Sequence, residues 1–143
     1  MSLRGFNALM FLVEDVAAAT EWYTEFLGVP PVFTRPGRGG KAIYAKFSVG
    51  EREDELALAD VSRAPEGRLA GPGGAVVHWS VDDVPATLAR LTAMGAREYV
   101  PVTPHGPFVT AIVVDPFGNL LGLHGVAATP HYSDEDLAPA RSS

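Results

Sequence analysis

Cysteine is absent from this chain of 143 residues, which excludes disulfides, thiolate metal sites and a cysteine nucleophile and is compatible with a reducing compartment. Basic residues are outnumbered: 11 Lys and Arg against 17 Asp and Glu leave a formal charge of −6. Nonspecific nucleic-acid binding needs Lys and Arg to neutralise phosphates, so this balance argues against it. An acidic surface favours solubility and would suit a cationic partner. Long apolar runs are missing too. The first one, after Arg4, soon meets Glu14 and Asp15, and reads as neither a secretory signal nor a membrane span. The expectation is a cytoplasmic protein of bacterial type. No G-x-S-x-G nucleophile motif occurs, and Gly37, Gly39 and Gly40 precede no helix, so they make no phosphate cradle.

What is present is a repeat. LVEDVAAATEWYTEFLG, from Leu12 to Gly28, is echoed by SVDDVPATLARLTAMG, from Ser80 to Gly95. Val13, Glu14, Asp15 and Val16 recur as Val81, Asp82, Asp83 and Val84. A unit of this length suits two copies of a small supersecondary module and is too long for a solenoid repeat. Two such modules facing each other would enclose a cleft.

The elements follow from periodicity. Phe6 to Val13 is an apolar run broken by Asn7 and predicts a buried strand. Asp15 is placed to cap a helix whose apolar stripe is Val16, Ala19, Tyr23, Phe26 and Leu27, and Gly28 with Pro30-Pro31 ends it. A short strand around Val32–Thr34 precedes the turn RPGRGGK. Ile43, Ala45, Phe47 and Val49 alternate with Tyr44, Lys46 and Ser48, and Leu56 and Leu58 alternate through a further strand. The second copy predicts a strand Ala75–Val81, a helix Val84–Met94 with Pro85 in its first turn, and strands Arg97–Pro101, Phe108–Val114 and Leu120–His124. The expected organisation is one two-module domain over 1–126, with module 1 at 5–61, a Gly/Pro-rich linker at 62–74, module 2 at 75–125 and a polar tail at 127–143. Each module reads strand–helix–strand–strand–strand, an α+β class with two sheets packed by two helices.

These residues resemble the vicinal oxygen chelate superfamily, which includes glyoxalase I, extradiol dioxygenases, and fosfomycin and bleomycin resistance proteins. The carriers are VEDV and VDDV at the strand-to-helix junctions, WYTEFLGV closing the first helix, and DPFGNLLGL at the last turn and strand, over roughly residues 5–125. The resemblance implies paired βαβββ modules, a cleft and a homodimer, but not one chemistry, because the fold carries enzymes and plain binders. In the metal-dependent members, four side chains converge on a divalent ion. Carried over, the first-strand positions fall on Ala8 and Val76 and the last-strand position of the second module on Gly122. Its counterpart in the first module is Glu55 or, with a two-residue slip, Ala57. Ala, Val and Gly have no ligating side chain, so the expectation is no resident metal or other cofactor.

Alternation assigns faces independently. Val76, His78 and Ser80 fall opposite the large apolar set of Val77, Trp79 and Val81, and Gly122 and His124 opposite Leu121 and Leu123. In the first copy Phe6, Ala8, Met10 and Leu12 share the cleft face with Glu55, Ala57 and Ala59. The candidate ligand-binding set is therefore Ala8, Met10, Tyr44, Glu55, Ala57, Val76, His78, Phe108, Gly122 and His124, small residues leaving room and large ones forming walls. Glu55, His78 and His124 could instead form a shifted two-His-one-carboxylate metal site, with Glu55 or His78 as catalytic base of a lyase, isomerase or dioxygenase. His105, in the loop TPHGP, could close over a ligand. A small organic molecule is the expected partner, bound by a metal-free protein of the bleomycin resistance type or turned over by an enzyme.

Overall fold

The computed structural model describes residues 3–4, 6–63 and 74–131, so most of the expected linker and residues 132–143 of the expected tail lie outside the described residues. The chain forms two compact units, Met1–Ala70 and Gly71–Ser143.

In the first unit, β1 (Leu9–Val13) leads into α1 (Val16–Leu27), followed by β2 (Phe33–Pro36), β3 (Ala42–Val49) and β4 (Asp54–Asp60). The sheet order is β1-β4-β3-β2, with β1 parallel to β4 and the other pairs antiparallel. α1 thus carries the chain from one edge of the sheet to the other. It starts where the sequence predicts: the Asp15 carboxylate accepts from the Ala18 amide at 3.0 Å, satisfying a donor that the first helical turn leaves over. Gly28, at φ 73°, ends it in the left-handed conformation. Val16, Ala19, Trp22 and Tyr23 are the buried stripe of α1. They seal the sheet face formed by Phe11, Val13, Ala45, Phe47, Leu56 and Leu58, all buried, and the Tyr23 ring lies 6.0 Å from that of Phe11. Trp22 belongs to this core although the predicted stripe omitted it.

In the second unit, β5 (Val77–Ser80) leads into α2 (Val84–Ala93), then β6 (Arg97–Val114) and β7 (Leu120–His131). The order is β5-β7-β6, with β5 parallel to β7 and β6 antiparallel to it. Asp83 repeats the capping bond, accepting from the Ala86 amide at 2.9 Å. Val84 and Leu91 of α2 are buried, as are Ala111, Val113, Leu121 and Leu123 of the sheet. The turn DPFGN is held by Asp115, whose buried carboxylate accepts from the amides of Phe117 at 2.9 Å and Asn119 at 2.8 Å.

The α+β architecture of two sheets and two helices is the one the repeat predicts. Several boundaries differ, three of them substantially. β1 begins at Leu9 rather than Phe6, because no strand among the described residues pairs with residues 6–8, and Phe6 is exposed. The two strands expected at Arg97–Pro101 and Phe108–Val114 merge into one element, β6. Within it, His105 Nε2 lies 3.1 Å from Thr110 Oγ1, whereas five residues of straight strand span about 17 Å. The element therefore bends sharply, at Gly106 with φ 59°, where the sequence placed its loop. Finally, β7 continues to His131, so residues 127–131 are strand and not tail; Gly106 pairs with His131 across a register shift. None of the helices among the described residues is long and apolar enough to cross a membrane.

Two stability outcomes follow. A Cβ on Gly125 would stand 2.8 Å from the Val81 carbonyl oxygen and 3.1 Å from Val84, where β7 runs beneath the β5–α2 junction. Gly125→Val should therefore destabilise by about 1–3 kcal/mol, read by urea denaturation. Asp83→Ala should cost about 1 kcal/mol and Asp83→Ser much less, because serine can still cap the helix.

Candidate functional site

In the first unit, burial of one sheet face under α1 decides what stands on the other. The pairing register lines up Met10, Ala57, Lys46 and Phe33 in one row across the strands, and Leu12, Ala59, Tyr44 and Arg35 in the next. Ser48 and Glu55 begin a third row. In each full row the β4 position is an alanine and the other three positions are larger side chains. Ala57 and Ala59 are both 0% exposed, so the space above them is not open to water. Beside them, toward the sheet edge, lies a pocket of about 270 Å³ lined by Phe33, Arg35, Tyr44 and Lys46.

The pocket has a definite chemistry. The Phe33 and Tyr44 rings stand 6.1 Å apart at 64°, forming an L-shaped aromatic corner. The Arg35 guanidinium carbon sits 5.9 Å from the Phe33 ring centre, within cation–π range. Lys46 Nζ is 3.3 Å from Glu55 Oε1, with 31% and 34% of their side chains exposed. At that exposure the pair contributes roughly 0.2–1 kcal/mol, but it partly neutralises Lys46. Among the described residues Arg35 has no carboxylate partner. A chain with a formal charge of −6 therefore presents a pocket with two cations, which suits an anionic ligand and not the cationic partner its composition suggested.

In the second unit the open face carries imidazoles. His78 pairs in register with Gly122 and Ser80 with His124, while Ile112 and Thr110 flank them from β6. Gly122 leaves no hole: a Cβ there would meet the His78 ring at 2.7–2.8 Å, so the histidine lies over the glycine. His124 stacks on Phe108 with ring centres 4.9 Å apart and 37° between planes. His105, which could close over a ligand, lies in β6 with its Nε2 3.1 Å from Thr110 Oγ1.

The candidate residues thus divide. Tyr44 lines the pocket, Glu55 pairs with its Lys46, and Met10 and Ala57 share the row that ends in it. Ala8 precedes β1 and is exposed; Val76 precedes β5 and is half-buried. His78, Gly122, His124 and Phe108 form the imidazole face. Three lining residues, Phe33, Arg35 and Lys46, were not among the candidates. Their signal lay in the alternation of FTRP in β2 and in the polar set of Tyr44, Lys46 and Ser48 in β3.

A divalent ion, implied by the resemblance, finds a poor donor set. Ala8, Val76 and Gly122 lack ligating side chains, the hollow at Gly122 is taken by His78, and Glu55 is engaged with Lys46. Among the described residues, no group of three or more His, Asp or Glu stands together as a metal site.

No curated protein matches the sequence. Among solved structures, a glyoxalase-related enzyme from Fulvimarina pelagi superposes with a TM-score of 0.68 at 21% identity, covering 92% of this chain and 98% of its own. A glyoxalase family protein from Bacillus cereus gives 0.68 at 17%, covering 90% and 97%. The fosfomycin resistance protein FosX of Listeria monocytogenes, crystallised with Mn(II) and sulfate, gives 0.66 at 14%, covering 89% and 94%. Likeness at these identities shows the fold alone. The sequence model of the Glyoxalase/Bleomycin resistance protein/Dioxygenase superfamily matches residues 5–123, nearly the whole chain, and the protein belongs to that superfamily.

Proposed function

We propose that this protein binds a small organic molecule and does so without a resident metal, in the manner of the binding members of its superfamily. The observation that carries this reading is the pocket of Phe33, Arg35, Tyr44 and Lys46, which combines apolar walls with a few converging polar groups. The donor set points the same way, since three carried-over ligand positions, Ala8, Val76 and Gly122, bring no donor. A cytoplasmic homodimer is part of the proposal; β1 and β5 each lie at the edge of their own sheet, and edge strands favour a covering partner. Sedimentation as a monomer at micromolar concentration would contradict the dimer.

The competing reading is a metal-dependent lyase, isomerase or dioxygenase using Glu55, His78 and His124. Equilibration with Zn, Ni, Mn and Fe, followed by elemental analysis, separates the two. Our reading expects well under one equivalent of each metal per chain. One bound equivalent that disappears in His78→Ala would establish the shifted site instead. A thermal-shift screen of metabolites should yield a stabilising compound whose effect is lost in Lys46→Ala and Tyr44→Ala but retained in His78→Ala. Loss in His78→Ala alone would move the ligand to the second unit.

A further inference from the structure

The pocket specifies a ligand class. It holds two cations of different availability and two aromatic rings set at an angle, in about 270 Å³. Sites for drug-sized ligands run to roughly 300–1,000 Å³, so the space suits a single ring with one substituent. Phe33 and Tyr44 offer one face and one edge, 6.1 Å apart at 64°, a corner that accepts a flat ring. Arg35 is anchored against Phe33 at 5.9 Å and has no carboxylate partner among the described residues. Its planar fork is the group best matched to a carboxylate, which it can engage through two parallel hydrogen bonds. Lys46, held 3.3 Å from Glu55, adds positive charge without being the primary anchor.

We propose that this pocket binds a small aromatic carboxylate, with the ring in the Phe33–Tyr44 corner and the carboxylate on Arg35. The inference rests on the small-molecule reading above and narrows it. Glu55 acts as a counter-charge: its pair with Lys46 lowers the local positive potential and limits affinity for anions.

Calorimetric titration of the intact chain with three probes tests this. Benzoate carries both the flat ring and the carboxylate, cyclohexanecarboxylate keeps the charge without the flat ring, and inorganic phosphate keeps an anion without either. Benzoate should bind with a millimolar or tighter constant and the other two about tenfold more weakly. Arg35→Gln should weaken benzoate about tenfold, and Glu55→Gln should strengthen it by about two- to fivefold through release of Lys46. Arg35 is exposed, so its replacement leaves the core intact, and Phe33→Leu supplies an independent check on the ring contact. Benzoate affinity unchanged in Arg35→Gln and Phe33→Leu would overturn the proposal, as would no binding at all. Tighter binding of phosphate than of benzoate, lost in Arg35→Gln, would overturn the aromatic class and leave an anion pocket. Failure of all three probes, alongside a screened compound that needs Tyr44 and Lys46, would refute the ligand class but keep the small-molecule reading.

Discussion

Strand register under a helix is the constraint on which everything else in each unit depends. Side chains alternate across a strand, so burying Leu56, Leu58, Ala45 and Phe47 beneath α1 leaves no freedom about what appears on the opposite face. A slip of one residue in β3 would bury Tyr44 and Lys46 and expose Phe47. Losing the burial of one such aromatic costs on the order of 1.5–3 kcal/mol, and charging the core with a lysine costs more. The pocket is therefore a by-product of core packing. Its residues are held in place by the hydrophobic face they do not belong to.

The same constraint explains why small side chains do not by themselves leave room. Ala57 and Ala59 sit in mid-sheet and are fully buried, and Gly122 is covered by the His78 imidazole. A small residue makes a cavity only if its neighbours cannot lean into the space, and interiors close-pack wherever they can. Toward the edge of the first sheet the strand β2 is four residues long with no further strand beyond it among the described residues, and the pocket opens there between Phe33 and Tyr44. Local charge likewise departs from global charge. The overall sign of the chain reflects its surface, whereas Arg35 and Lys46 dominate the few ångströms that a ligand would feel.

Much of this was legible in the sequence, for physical reasons. Asp15 and Asp83 announce their helices because a carboxylate at a helix start meets amides with no other partner, and both caps form. Leu121 and Leu123 were readable as core by alternation alone. What stayed hidden depended on contacts between distant segments. Nothing in the local composition of TPHGP distinguishes a loose loop from the bent strand at Gly106, because the bend is fixed by Thr110 and by β7. Residues 127–131 look polar and tail-like, yet they pair through His131 with Gly106. Phe33 and Arg35 escaped notice because so short a strand shows its alternation only once its pairing with Lys46 and Tyr44 is known.

The two units show how one module frame accommodates different chemistry. Each has a capped helix over an apolar sheet face, and a first strand parallel to the last. The open faces have diverged, one toward cations and aromatic rings, the other toward imidazoles packed on Gly122 and Phe108. The most direct test of this account is an amide chemical-shift map of the labelled protein titrated with benzoate. The account predicts changes concentrated at residues 33–35 and 44–46, with the amides around His78 and His124 unmoved. Changes centred on His78 and His124, with 33–35 and 44–46 silent, would contradict it.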